Sequence, residues 1–201
     1  MREPFSRFVK SEIASDTIMI TSGLPGTWKT ETSEEVSKIK GFPILRSDLI
    51  RLEVLKDEDI FDAKVAGNMN KRLSVYDEMF KRADDMLNKD RKGLILDATF
   101  VTQDLRKRAA EIAAKHNMQL AILETKCSEQ ASVNRIQTRT KEEYVSNALT
   151  AEAYLNNKKK FEPVDIEALK KSIRQLRILH FVVDTEHDSP ESWYVVKSER
   201  R

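Results

Sequence analysis

The chain has 201 residues, with 35 Lys plus Arg against 33 Asp plus Glu and a formal charge of +2. That length predicts one domain over residues 1–201 with a sizeable core, and the near-balance of charge argues against a protein that binds nucleic acid or membrane by bulk charge. A single cysteine, Cys127, excludes an internal disulfide framework and a cysteine-based zinc site, and His116, His180 and His187 are scattered. No apolar run reaches the length of a membrane span or a signal h-region, which predicts a cytoplasmic protein with no membrane partner.

Short apolar runs alternate with longer amphipathic ones. Residues 17–21, Thr-Ile-Met-Ile-Thr, predict a buried strand that ends at Gly23. Residues 42–46 predict a second, weaker strand. Over residues 69–89, Leu73, Tyr76, Phe80, Ala83 and Leu87 recur at steps of three and four, the packing face of a helix. Residues 93–97 predict a third strand. A second helix follows over 103–116 through Leu105, Ala109, Ile112 and Ala113, with Thr102 as N-cap. Residues 120–125 and 178–184 predict the fourth and fifth strands, and Trp193 to Val196 a final short helix or strand packed on the sheet. Such alternation predicts a parallel sheet covered by helices on both faces.

The stretch Gly23-Leu24-Pro25-Gly26-Thr27-Trp28-Lys29-Thr30 follows the first strand and opens a helix. Amides of a tight glycine-rich turn at a helix N-terminus suit phosphate oxygens, a lysine there reaches the β- and γ-phosphates, and the threonine hydroxyl holds Mg²⁺. The pattern is a Walker A loop with one departure: Trp28 stands where the second glycine belongs. Two readings follow. Either Trp28 packs outward and the loop keeps its function, or the site is degenerate.

Other residues carry compatible chemistry. Ser47-Asp48-Leu49-Ile50-Arg51 follows the second strand, and Asp48 and Arg51 share one face of a helix start. A carboxylate there accepts a proton from an attacking hydroxyl, and an arginine beside it holds an acceptor phosphate or the moving phosphoryl group. Asp97, in Asp97-Ala98-Thr99, ends the third strand, where ligands of parallel sheets bind, and can act through Mg²⁺ and its waters. Arg135 and Arg139, four apart, share a helix face. Cys127 reads as a small buried side chain, His180 as a hydrogen-bonded core residue, and Lys158 to Lys160 as a solvated helix end.

Together these motifs resemble the P-loop kinases that group with polynucleotide 5′-hydroxyl kinases and the small AAA-like ATP-binding kinase domains, over about residues 17–163. The resemblance implies a three-layer α/β P-loop NTPase fold with a five-stranded, mainly parallel sheet in the order 2-3-1-4-5 and a helical lid at about 135–160. It implies ATP and Mg²⁺ as cofactors, held by Gly23, Pro25, Gly26, Thr27, Trp28, Lys29, Thr30 and Arg135, with Thr30 and Asp97 serving the metal. Asp48 takes the general-base role. Lys29, Arg51 and Arg139 join it as catalytic groups, Arg139 reaching the phosphates and Arg135 lying against the adenine. Arg106 orders the loop after the third strand. Asn147 replaces a carboxylate of the related Ser-Asp-Ala segment, while Phe161-Glu162-Pro163 matches. The expected activity is transfer of the γ-phosphoryl group of MgATP to a hydroxyl acceptor, a nucleic-acid 5′-hydroxyl or a small molecule. The alternative is a nucleotide-binding or interaction protein, or a slow ATPase, with no phosphotransfer. Acceptor specificity is expected from residues 48–70 and 139–165.

Overall fold

The computed structural model describes residues 2–60, 62, 65, 68–138 and 150–201. In chain order the elements are β1 (Glu3–Pro4), α1 (Phe5–Glu12), β2 (Thr17–Ser22), α2 (Lys29–Lys40), β3 (Ile44–Arg46) and α3 (Ser47–Val54). They continue with α4 (Met69–Lys89), β4 (Leu94–Asp97), α5 (Gln103–Lys115), β5 (Gln119–Lys126) and α6 (Glu129–Gln137). Last come α7 (Ala151–Lys160), α8 (Ile166–Ser172), β6 (Ile178–Asp184), a 3₁₀ turn (Pro190–Ser192) and β7 (Tyr194–Arg200).

The described strands form one sheet in the order β1-β7-β6-β5-β2-β4-β3. The five strands β6, β5, β2, β4 and β3 are parallel and follow the expected 2-3-1-4-5 order. The expectation of five strands is corrected to seven: β7 pairs antiparallel with β6, and β1 antiparallel with β7. Only Val195 of β7 is buried, and its Lys-Ser-Glu-Arg run gives it the polar look of a tail. The two-residue β1 pairs only with Tyr194 and Val195, so the rest of β7 has β6 as its single neighbour and tolerates such residues.

Side chains alternate across the sheet. Ile18, Ile20, Leu94, Leu96, Leu120 and Ile122 face α4, α5 and α8, where the predicted stripe of Tyr76, Phe80, Ala83 and Leu87 meets them. Met19, Ile95, Ala121, Leu123 and Phe181 face α1 and α2. Helix starts follow the expected capping chemistry: Thr102 accepts from the Leu105 N–H at 3.4 Å, and Asn68 opens α4 by accepting from the Lys71 N–H at 3.3 Å. The parallel register sets Ser22 beside Glu124 and Arg46 beside Asp97, so the carboxyl ends of the parallel strands lie along one edge of the sheet. His180 is a core residue as expected, its Nε2 lying 2.8 Å from Glu124 Oε2.

Candidate active site

The chain leaves β2 at Ser22 and turns through residues 23–28 before α2 opens at Lys29. Gly23 and Gly26 have φ of +151° and +80°. A Cβ on Gly26 would run into the backbone carbonyl of Ser132 in α6, and one on Gly23 would lie 2.9 Å from both the Thr125 carbonyl and Thr27 Oγ1. Neighbouring backbone therefore closes on the loop from outside, and glycine alone fits. Pro25 is buried between them. Thr27 is 3% exposed, and its hydroxyl lies 2.7 Å from Thr125 Oγ1 and donates to the Leu24 carbonyl at 2.8 Å.

Trp28 has φ +57° and ψ +38° and is the N-cap of α2. Its backbone thus adopts the left-handed conformation a glycine would adopt, which costs a residue with a Cβ about 1–2 kcal/mol. The side chain offsets that cost. The Arg135 guanidinium lies 4.8 Å from the indole centroid, and the indole N–H donates to Asp188 Oδ1 at 3.1 Å.

Arg135 is nearly buried, and its donors are committed to the protein. Nε donates to Asp188 Oδ1 at 2.9 Å, Nη1 to the Gly26 carbonyl at 3.2 Å and Cys127 Sγ at 3.3 Å, and Nη2 to the carbonyls of Thr185 and Glu186 at 2.9 and 2.8 Å. A guanidinium has five N–H groups, so this set exhausts them. Arg135 therefore clamps the loop to the segment after β6, and any contact with a nucleobase falls to its planar face. Cys127 is half-buried beside this guanidinium, a neighbour the sequence around it does not reveal.

Behind the loop stands Asp97, 5% exposed. It accepts from Thr30 Oγ1 at 2.7 Å and Thr21 Oγ1 at 3.1 Å. Burial pushes its carboxyl up from the ordinary aspartate range, and the nearby Asp48 charge adds to the rise; Thr30, the Lys29 charge and Thr21 oppose it. Lys29 Nζ donates to the Leu24 carbonyl at 2.7 Å. Thr30, Lys29, Asp97 and Asp48 thus converge at the carboxyl ends of β2 and β4.

Asp48 sits in the first turn of α3, but its ion pair is not with Arg51. Arg46, the last residue of β3, holds it at 2.8 and 3.2 Å through two nitrogens. That hydrogen bond is the main reason the Arg46 guanidinium lies above its ordinary value. Arg51 is half-buried further along α3. Burial lowers its pKa, Tyr76 and Asp48 raise it, and Arg72 lowers it.

Arg106 is fully buried, and where the sequence suggested a role in ordering the loop after β4, its shorter bonds go to the segment after α7, with only a long one, 3.5 Å, to the Val101 carbonyl of that loop. Nη2 donates to the Glu162 carbonyl at 2.7 Å, and Nη1 to the Pro163 carbonyl at 3.1 Å. The Phe-Glu-Pro segment is thereby tied to α5 and β2. Arg139 and the segment 145–148, including Asn147, lie outside the described residues. Lys158 meets Glu129 of α6 at 2.7 Å, which raises its pKa. Sequence reading missed Arg46, Thr21, Tyr76, Arg72 and Asp188. Each carries a short-range signal too common to single out; their meeting depends on strand order and helix packing.

A phosphate-type loop between strand and helix, on a 2-3-1-4-5 parallel sheet, defines a P-loop NTPase-like α/β protein. The profile of the AAA domain family matches residues 18–164, and the chain belongs to that family. No curated protein matches the sequence significantly. Among solved structures, a gluconokinase from Sinorhizobium meliloti 1021 is similar at 13% identity and TM-score 0.59, over 87% of this chain and 86% of that one. A candidate kinase from Chloroflexus aurantiacus j-10-fl is similar at 16% identity and TM-score 0.57, over 81% of this chain and 98% of that one. At such identities the likeness concerns the fold.

Proposed function

We propose that residues 1–201 act as one ATP-dependent phosphotransferase domain that moves the γ-phosphoryl group of MgATP to a hydroxyl acceptor. One observation carries the reading: the buried Asp97 carboxyl, hydrogen-bonded by Thr30 and flanked by the charges of Lys29 and Asp48. Its donor set suits Mg²⁺. That ion keeps several waters and needs only one or two protein oxygens, and no cluster of three or more His, Cys, Asp or Glu occurs among the described residues. Thr30 and Asp97 would hold the ion, which supplies charge neutralisation to the phosphates when bound.

The protein's own part is positioning and electrostatics. Gly23, Pro25, Gly26, Thr27 and Trp28 shape the loop whose amides face phosphate oxygens. Lys29 binds the β- and γ-phosphates. Asp48, aimed by Arg46, accepts the acceptor's proton as the new O–P bond forms and the bond to the β-phosphate oxygen breaks, with ADP leaving. Arg51 and Arg139 stabilise the phosphoryl charge. Arg135 presents a face to the adenine while its N–H groups hold the loop.

The nucleotide-binding alternative without transfer draws its support from Trp28. The left-handed backbone and outward anchoring of Trp28 favour an intact loop instead. Titration of MgATP, read by indole fluorescence, tests binding. Saturation is expected below millimolar concentration and its loss in Lys29→Ala; no response in the wild type at millimolar MgATP overturns the reading. Asp48→Asn is expected to cut phosphoryl transfer from γ-labelled ATP at least about 100-fold, the low end for a general base, with ATP affinity kept. Undiminished transfer refutes the base assignment.

A further inference from the structure

Among the described residues three other than glycine have positive φ: Trp28, Phe100 and Asn117. Asparagine tolerates that region, and Trp28 is anchored by Arg135 and Asp188. Phe100 has neither excuse. It is fully buried, at φ +41°, in the turn that follows Asp97. A bulky residue persists in such a backbone only where its surroundings over-determine it, and strain of this kind gathers at functional sites.

The group that holds Phe100 comes from α4. The Tyr76 hydroxyl accepts from the Phe100 N–H at 3.0 Å. The two rings meet edge-on, with centroids 5.3 Å apart at 74°, and the Phe80 ring lies 6.2 Å from Phe100. The start of the same turn is held from β2. Thr21 Oγ1 accepts from the Ala98 N–H at 3.0 Å, donates to the Ala98 carbonyl at 2.7 Å and lies 3.1 Å from Asp97 Oδ1. The other Asp97 oxygen, Oδ2, accepts from Thr30 at 2.7 Å. Past Phe100, the Val101 carbonyl accepts from the Glu162 N–H at 2.8 Å. The turn from Asp97 to Val101 is therefore fastened from β2, from α4 and from the segment after α7, and its strained residue is the one that Tyr76 bonds.

Without that hydroxyl the Phe100 N–H would be unpaired in the core and the left-handed backbone would lose its compensation. Rotation of Phe100 toward negative φ relieves both. Two residues away, Ala98 shares the Thr21 hydroxyl with the Asp97 carboxylate, so the same rotation pulls on the group that aims Asp97 at Thr30.

We propose that Tyr76 is a positioning residue: its hydroxyl, acting through Phe100, keeps the Asp97 carboxylate directed toward Thr30 and the metal of MgATP. The proposal deepens the phosphotransfer reading and rests on it for the metal. It gives a second role to a residue that the sequence pattern places only in the packing stripe of α4. Outer partners that orient a metal-binding side chain without touching the ion change metal affinity or activity by about 10–100-fold when removed.

Two experiments decide it, and the first needs no nucleotide. Amide hydrogen exchange of the full chain compares wild type with Tyr76→Phe, which deletes the hydroxyl and keeps the ring. Exchange at Ala98 is expected to accelerate at least about tenfold relative to Ile122, in the middle of β5, whose amide reports global opening. Thr21→Val is expected to accelerate Phe100 in the same measure. A ratio to Ile122 that stays unchanged in either variant overturns the coupling across the turn.

The second experiment reads the metal. ADP is titrated calorimetrically into each protein with Mg²⁺ and with a chelator, and the ratio of the two affinities gives the gain due to the ion. That gain is expected to fall about tenfold in Tyr76→Phe, the low end for such a partner. It is expected to hold in Phe80→Leu, which strips ring contacts from Tyr76 and Phe100 and breaks none of the hydrogen bonds of the turn. An undiminished gain in Tyr76→Phe overturns the proposal, and so does an equal fall in Phe80→Leu, which marks packing alone. If the wild type binds no ADP, the nucleotide reading fails by itself, and the exchange rates still decide whether Tyr76 holds the Asp97 turn.

Discussion

Trp28 shows how a residue that looks wrong for its motif is accommodated. The strain of a left-handed tryptophan is set against a guanidinium stack and an indole hydrogen bond to Asp188. Trp28→Gly relieves about 1 kcal/mol of backbone strain but removes a stack worth up to about 2 kcal/mol when desolvated, besides apolar contact. Chemical denaturation is expected to show a net loss of about 1 kcal/mol, with Trp28→Phe, which retains a ring, closer to wild type. Asp97 works in the opposite direction. Its folded pKa lies above the unfolded aspartate value of about 3.9, so between the two the native state holds more protons than the unfolded chain. Stability therefore falls as pH rises through that window, and the loss persists at neutral pH. Asp97→Asn is expected to flatten that part of the pH–stability curve. At neutral pH it should raise stability by about 0.5–2 kcal/mol while weakening MgATP binding, a trade of function for stability.

At the scale of elements, the phosphate loop is shaped from outside as much as by its own glycines. Helix α6 approaches so closely that Ser132 fills the space a Cβ on Gly26 would need, and Arg135 on the same helix bonds the Gly26 carbonyl. The start of α6 is in turn capped by Ser128, whose hydroxyl accepts from the Ala131 N–H at 3.2 Å, and Glu186 holds that cap by accepting from the Ser128 N–H and hydroxyl at 2.6 and 2.7 Å. Gly26→Ala pairs that collision with an unfavourable positive φ. It is expected to cost at least about 2 kcal/mol in thermal unfolding, in the range for strained backbone and overpacking combined, and to abolish MgATP binding. The helices and parallel strands were legible because their periodicity and caps are local: the Tyr76–Leu87 stripe, Thr102, and the β-branched run at Thr17–Ser22. Strand β7 was less so, since beyond Val195 it pairs with β6 alone and needs little apolar character there, and the sequence pattern left helix or strand open. The arginine partnerships were not legible. Asp48 and Arg51 are spaced for an intrahelical pair, yet a better bidentate partner, Arg46, waits on the adjoining strand.

At the scale of the molecule, a formal charge of +2 conceals segregation. Residues 31–62 hold nine acids and five bases, and residues 134–160 six bases and three acids. The basic segment is partly quenched where Lys158 meets Glu129 and Arg135 meets Asp188. A small acceptor, in place of a polynucleotide along a continuous basic groove, predicts weak salt dependence of acceptor binding. A log–log slope near −0.7 is expected for a single phosphate, and a slope of about −3 or steeper would identify a polynucleotide end. Motif spacing by itself determined the loop and the order of strands along the chain and singled out Lys29, Thr30, Asp48 and Asp97 as candidates, because a phosphate loop and the strand ends beside it are local in sequence. Only the tertiary structure decided which charges meet. Arg135 is spent on the loop, Arg46 takes Asp48, and Arg51 is left with Arg72. Arg135 reaches the Gly26 carbonyl across 109 residues of sequence and the Arg72 charge reaches Arg51 through the packing of α3 on α4, whereas Arg46 and Asp48 pair across the β3–α3 junction; buried charges settle on whichever partner the fold brings within hydrogen-bond reach.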